Sequence, residues 1–266
     1  MGRRAVYTCL FGYSEPFNDF TYDRSGVDDF ICFTDDVNLR SSFWQVRVVP
    51  QRRLDPARAS KRVKVLPHLF LGEFSSSLYI DNTVRLKVAP GDLFDQFLEP
   101  ARSPYVCFRH HLHRCVYEEA EAVIRLEYDQ PARVQAQMQV YRELGYPALR
   151  GLSKGAFLLR RHMEHRIRPV MERWFQEILQ HSHRDQLSFD VVAWLHKFEP
   201  EYLPVPFDEF SLLEWPVFKD GCVGVPRDFD DARYLALYPD VTQPAKPAPA
   251  FRDRGSCRRS TVQVTV

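Results

Sequence analysis

Short runs of β-forming apolar residues alternate with helix-like segments along most of this chain, and that alternation restricts it to an α/β sandwich around a mostly parallel sheet. Strands are expected at residues 6–11 (closed by Gly12), 30–34 (stopped by Asp35 and Asp36), 43–49 (ended by Pro50), 78–80, 105–108 and 156–159. Helices are expected at 57–71 with a break at Pro67, and at 90–98, 114–128, 131–144, 163–181 and 184–197.

With 266 residues, 45% of them hydrophobic and 27% charged, the chain has room for one sizeable core. Residues 1–225 read as one domain, 226–241 as a short helical unit and 242–266 as a flexible tail, because prolines and then arginines replace core residues there. The unit at 229–241 resembles F-D-x-x-x-Y-L-x-x-Y-P-D-V units appended to many bacterial surface-polysaccharide proteins.

A formal net charge of +1 gives no global reason to bind nucleic acid or an anionic membrane. None of the six cysteines forms a C-x-x-C pair, and Cys9, Cys32 and Cys107 sit in apolar stretches as small buried hydrophobes. The apolar run after Met1 is too short for a signal peptide, and no stretch is long and apolar enough to span a bilayer. The expected location is cytoplasmic, with peripheral membrane association left open.

Four polar clusters carry the chemistry. Ser77-Leu78-Tyr79-Ile80-Asp81-Asn82-Thr83 places a carboxylate at the carboxyl end of a buried strand, where α/β sheets bind ligands. Asp81 can hold a hard cation, Mg²⁺ or Mn²⁺, although Thr83 stands where an Asp-x-Asp pair would have its second acid. Otherwise Asp81 caps a turn. Just upstream, Arg58 and Arg62 with Lys61 or Lys64 are spaced to share a helix face that could grip a diphosphate; solvated surface charge is the alternative. No aromatic residues interleave with them, which disfavours nucleic acid.

In the third cluster, His110, His111, His113 and Arg114 precede Glu118 and Glu119 at a helix start, which suits a phosphate or an acidic sugar. A zinc site could draw on His110 and His113 with Cys107 or Cys115, though the spacing fits no standard module. The two glutamates are equally explained by the helix dipole. In the fourth, Asp185 and Gln186 open a helix after Ser182 and His183; Asp185 either supports the helix end or hydrogen-bonds a sugar.

Seven stretches in this order resemble a glycosyltransferase-like family long known as domain of unknown function 616, which has plant mucilage-related and bacterial members. They are Tyr7-Thr8-Cys9-Leu10-Phe11-Gly12-Tyr13, Ile31-Cys32-Phe33-Thr34-Asp35-Asp36, Lys64 with Pro67-His68, the strand ending in Asp81-Asn82, Arg114-Cys115-Val116-Tyr117-Glu118-Glu119-Ala120, Gln137 with Tyr141 and Gly145-Tyr146-Pro147, and Arg184-Asp185-Gln186-Leu187-Ser188-Phe189. Together they cover residues 5–205.

The resemblance implies a GT-A-like, Rossmann-like fold and transfer of a sugar from a nucleotide-diphosphate sugar to a glycan or other acceptor, in cell-surface polysaccharide synthesis. It implies that Thr8 and Gly12 border the nucleotide, that Asp36 contacts its base or ribose, that Asp81 takes the metal role and that Asp185-Gln186 matches the Asp-Gln pair of retaining enzymes. Lys61, Arg62, Lys64, Asn82, His110 and Arg114 complete the expected nucleotide-sugar site, and Asp185 or Glu118 would be the base if the reaction inverts configuration. Two rivals are a binding module without catalysis and a metal-dependent hydrolase built on His110, His111 and His113.

Overall fold

The computed structural model describes residues 2–12, 16–50 and 53–217. The helical unit at 229–241 and the tail from 242 lie outside the described residues.

β1 (Arg4–Leu10), β2 (Asp29–Thr34), β3 (Gln45–Val48), β4 (Ser76–Ile80), β6 (Tyr105–Arg109), β7 (Ser153–Arg160) and β8 (Glu201–Tyr202) form one seven-stranded sheet. Its order is β3-β2-β1-β4-β7-β6-β8, and β7 alone runs antiparallel to its neighbours. This is the GT-A-like arrangement the sequence implies. The strand order reverses between β1 and β4, the point beyond whose carboxyl ends open α/β sheets form their ligand crevice. Because β7 points the other way, its first residues reach the same rim as the last residues of β1, β2, β4 and β6.

Every residue of β1 is buried, as a central strand covered on both faces requires. Tyr7 and Cys9 face a core shared with α1 (Pro56–Val65), α5 (Arg168–Gln180) and α6 (Phe189–Leu195). Val6 and Leu10 face a second core, closed by α2 (Pro90–Leu93), the wide turn that continues it (Phe94–Leu98), and the loops around Phe17, Phe207 and Phe210. Irregular chain thus covers much of one face where flanking helices were expected. α3 (Val116–Arg125) and α4 (Pro131–Glu143) pack as a pair over a third core. A two-stranded pairing of β5 (Arg85–Leu86) with β9 (Leu213–Glu214) ties the last described segment to the chain after β4. There, the Val217 amide donates to the Thr83 carbonyl at 2.8 Å, and the Asn18 amide group donates to the Val217 carbonyl at 2.7 Å.

Prolines account for two of the helix ends that differ from expectation. α1 stops at Val65 because Leu66, at φ −111° and ψ 53°, precedes Pro67 and is kept out of the helical region. α5 starts at Arg168, with Pro169 in its first turn, where a missing N–H costs nothing. The expected helix at 184–197 is a 3₁₀ turn over Asp185–Leu187 followed by α6.

Gly12 ends β1 at φ +71°, and its amide donates to Asp35 Oδ1 at 3.1 Å. A Cβ there would come within 2.4 Å of the Pro56 side chain at the start of α1. Gly12→Ala should therefore lower the unfolding free energy by about 1–3 kcal/mol, through backbone strain and this clash. Urea denaturation measures it, and an unchanged midpoint would show that the loop relaxes freely.

Candidate active site

Asp81 is placed by β4: its amide donates to the Ala156 carbonyl of β7 at 2.9 Å, so its carboxylate emerges at the rim beside β1. Tyr79 donates its hydroxyl to Asp81 Oδ1 at 2.7 Å. The Asp81 side chain keeps 36% of its surface exposed, open to the crevice.

Facing it is α1. Asp55 caps this helix by accepting the Arg58 amide at 2.9 Å, and the Arg58 guanidinium grips the Ile178 and His181 carbonyls at the end of α5. The helix is thereby fixed with Lys61 and Lys64 directed at the 3₁₀ turn. Lys64 is held at both of its ends. Its carbonyl accepts from the Tyr7 hydroxyl at 2.8 Å and from the fully buried Arg160 at 2.8 Å, and Arg160 also donates to the Tyr7 hydroxyl. Its ammonium lies 2.7 Å from Asp185 Oδ2 and 3.7 Å from Asp81 Oδ1. Lys61 reaches Asp185 Oδ1 at 3.1 Å.

Asp185 owes its position to the 3₁₀ turn, whose carbonyl at Asp185 accepts the Trp174 indole N–H at 2.9 Å. Gly155 provides the space: a Cβ on it would stand 3.1 Å from both Asp185 Oδ2 and the Lys64 ammonium. The Gly155 amide instead donates to Gln186 Oε1 at 3.4 Å, leaving the Gln186 amide nitrogen for other acceptors.

Burial alone would push the Asp185 carboxyl up. The two ammonium groups outweigh that and hold it well below the usual carboxylate range. For Lys64, burial opposes the charge, and Asp185 and Asp81 more than restore it, so its pKa is raised. Lys61 is pulled down by burial, which Asp185 offsets in part.

On the far side of the rim, beyond β6, the rings of His110, His111 and His113 stack. His113 Nδ1 lies 2.6 Å from Glu119 Oε2, and His110 Nε2 lies 3.9 Å from the same oxygen. Ligand atoms of His110, His113 and Glu119 fall within 4.8 Å of one another. The backbone argues against zinc here. His110 Nδ1 accepts the amides of His113 and Leu112 at 2.9 and 3.3 Å, so the ring proton sits on Nε2 and that nitrogen is a donor. Burial, then Lys154 and His111, pull His110 down to about 2, which keeps the ring neutral. For Nε2 to ligate zinc, His110 would have to give up that proton, which weighs against the hydrolase reading.

The expected residues divide accordingly. Asp81, Lys61, Lys64, Asp185 and Gln186 come together, and His110 stands across the rim. Arg62 lies apart: its guanidinium covers the Phe70 ring at 5.5 Å. Thr8 is buried inside β1, paired with Cys32, because the strand runs two residues further to Leu10. Asn82 is buried as well; it accepts the Asn18 amide and donates to the Pro16 carbonyl, both at 2.9 Å, which anchors the chain after β1. Gly12 borders the crevice. Asp36 uses one oxygen on the Asn38 amide. Arg114 is exposed and paired with Glu118, whose other oxygen accepts the Arg114 amide at 2.7 Å. That leaves neither acid suited as a base: Glu118 closes a helix start, and Asp185 is stabilised as an anion. Sequence reasoning missed Tyr79, Lys154, Gly155 and Arg160.

The model of the TOD1/MUCI70 glycosyltransferase-like domain matches residues 32–209, from β2 past β8. The chain belongs to this family. A curated relative, "Probable hexosyltransferase MUCI70" of Arabidopsis thaliana, is 27% identical over 170 residues, 59% of this chain and 28% of that protein. The chain thus spans little more than a quarter of this relative. Among the described residues no helix is long and apolar enough to cross a membrane.

Of the two acids that meet here, Asp81 offers a divalent cation its carboxylate, since Lys61 and Lys64 occupy Asp185. A single carboxylate fits a hard cation that arrives on a substrate's phosphates better than one the protein holds alone.

The buried ion pairs predict a pH dependence. Asp185 has a folded pKa below its unfolded value of about 4, so its stabilisation is complete above that pH and is lost as the pH falls. Asp185→Asn should cost about 3–5 kcal/mol near neutrality, as breaking a buried pair does. In urea denaturation, the gap to the wild type should narrow below a pH of about 4. A gap constant with pH would contradict the assignment.

Proposed function

We propose that the chain transfers a hexosyl or related sugar from a nucleotide-diphosphate sugar to a hydroxyl of a glycan or other acceptor. The observation that carries this reading is the meeting of Asp81 with Lys64, Lys61 and Asp185 at the point where the strand order reverses. The glycosyltransferase-like family and the hexosyltransferase named among its relatives support it. A role in cell-surface polysaccharide synthesis agrees with the mucilage-related members of that family.

In this reading the nucleotide lies across the ends of β1, β2 and β4, beside Gly12 and Asp36. The anomeric carbon–oxygen bond breaks, its electron pair stays with the diphosphate, and the acceptor oxygen forms the new bond. Charge developing on the leaving oxygen is met by the Lys64 and Lys61 ammonium groups. Asp185 keeps both charged and aimed before the substrate arrives, and preorganised charge of this kind usually supplies the largest share of barrier lowering. A Mg²⁺ or Mn²⁺ ion held by Asp81 would add Lewis-acid stabilisation of the same phosphates. Gln186 and the His110 Nε2–H face the sugar as neutral donors. His113, oriented by Glu119, is the rim group best built to take the acceptor's proton if configuration is inverted.

Asp81→Ala should reduce turnover about a hundredfold or more while the protein stays folded, a scale set by deleting single groups that stabilise transition-state charge. Nucleoside diphosphate release from UDP- and GDP-sugars measures it. Full activity in the variant would remove Asp81 from the mechanism. Binding of UDP or GDP with no release from any donor would instead favour a module that binds without catalysis.

If the cation travels with the substrate, Mn²⁺ should bind the free protein weakly, and UDP or GDP should strengthen that binding tenfold or more, about 1.4 kcal/mol. Titration calorimetry tests it. Tight stoichiometric Mn²⁺ on the free protein would show a fuller ligand set.

A further inference from the structure

Lys154 lies near the start of β7 and is only 9% exposed. Its ammonium sits over the Trp215 ring at 4.3 Å and the Phe207 ring at 5.5 Å. Among the described residues no oxygen accepts a hydrogen bond from it and no carboxylate pairs with it in contact. Burial pulls its pKa down, and the more distant charges of Asp81 and Glu119 offset that in part. An aromatic face attracts a cation without using its protons, so among the described residues none of the three N–H donors is taken up. A buried ammonium with no hydrogen-bond acceptor is costly, and the cost is relieved when an anion reaches it.

Its placement indicates which anion. Lys154 stands on the face of the sheet that carries Phe207, whereas Lys64 approaches from the face covered by α1. Both act electrostatically on the same carboxylate, Asp81. Asp81 is bonded through its amide to Ala156, two residues beyond Lys154 on β7, so ammonium groups from both faces of the sheet come to one rim, which matches a ligand with two linked anionic centres.

We propose that Lys154 is a direct ligand of the donor's diphosphate, gripping it from the face of the sheet opposite Lys64. The assignment rests on the transferase reading above and adds a residue to it.

Lys154→Met tests it, because the thioether chain keeps the apolar packing against Phe207 and Trp215 while the charge is lost. Titration calorimetry with UDP and with GDP, in Mg²⁺ buffer, should show affinity weakened about tenfold or more, the range of a hydrogen bond to a charged group. Lys154→Arg should retain most of it. The thermal midpoint of the ligand-free Met variant should equal or exceed that of the wild type, since a largely buried charge with no carboxylate in contact among the described residues has been removed. Wild-type affinity in the Met variant would overturn the proposal, and a lowered midpoint with that affinity would assign Lys154 to packing alone. If the wild type itself bound neither UDP nor GDP, the transferase reading would fall and this assignment with it. Should the Met variant not fold, Lys154→Gln carries the same comparison.

Discussion

The ion pair between Lys64 and Asp185 is the constraint on which the rest of the site depends. Both side chains are almost completely buried, 2% and 8% exposed, so each charge relies on close opposite charge, the other first and Lys61 or Asp81 beside it. Bringing them together requires α1, the 3₁₀ turn before α6, and a strand residue between them without a side chain. It also requires Tyr7 and Arg160 to clamp the Lys64 carbonyl. The pair therefore links elements from three parts of the chain, and an error in packing any of them would show first as a misplaced ammonium group.

The second organising fact is the reversed direction of β7. A sheet parallel throughout would bring only strand ends to the rim. The antiparallel strand adds a strand beginning, with Lys154, Gly155 and the Ala156 carbonyl that fixes the Asp81 backbone. One strand thus contributes a cation, a gap and a backbone anchor within three residues. The stacked histidines beyond β6 complete the rim with a neutral donor and a carboxylate-oriented ring. The tautomer that decides this is set by two backbone amides.

Much of the architecture was legible in the sequence because the central strands are long apolar runs closed by glycine, proline or aspartate. All six expected strands are present. The two-residue strands β5, β8 and β9 are too short to carry any periodicity, and helix ends moved where Pro67 and Pro169 act on the backbone. Of the site, Asp81, Lys61, Lys64 and Asp185 were readable from charge placed near strand and helix ends. Arg62 was not separable from Lys61, because adjacent residues on a helix diverge by about 100° and sequence alone does not say which one faces the sheet. Lys154 was invisible for a different reason. Strand direction leaves no local trace, and in a parallel sheet the start of that strand would lie at the opposite rim. Asn82 looked like a ligand because it follows Asp81; only the fold shows its amide engaged by Asn18 and Pro16.

The wall that covers Lys154 is a loop, while the wall that holds Lys64 is a helix locked by Arg58 and Asp55. Trp215 lies beyond residue 209, where the family match ends, on a segment fastened through Thr83 and Asn18. Loops tolerate substitution far better than packed helices. One side of the rim is thus loop and the other packed helix. Substitutions in the loop can alter the shape offered to a sugar or acceptor while Lys64 and Asp185, held by the helix side, keep their places.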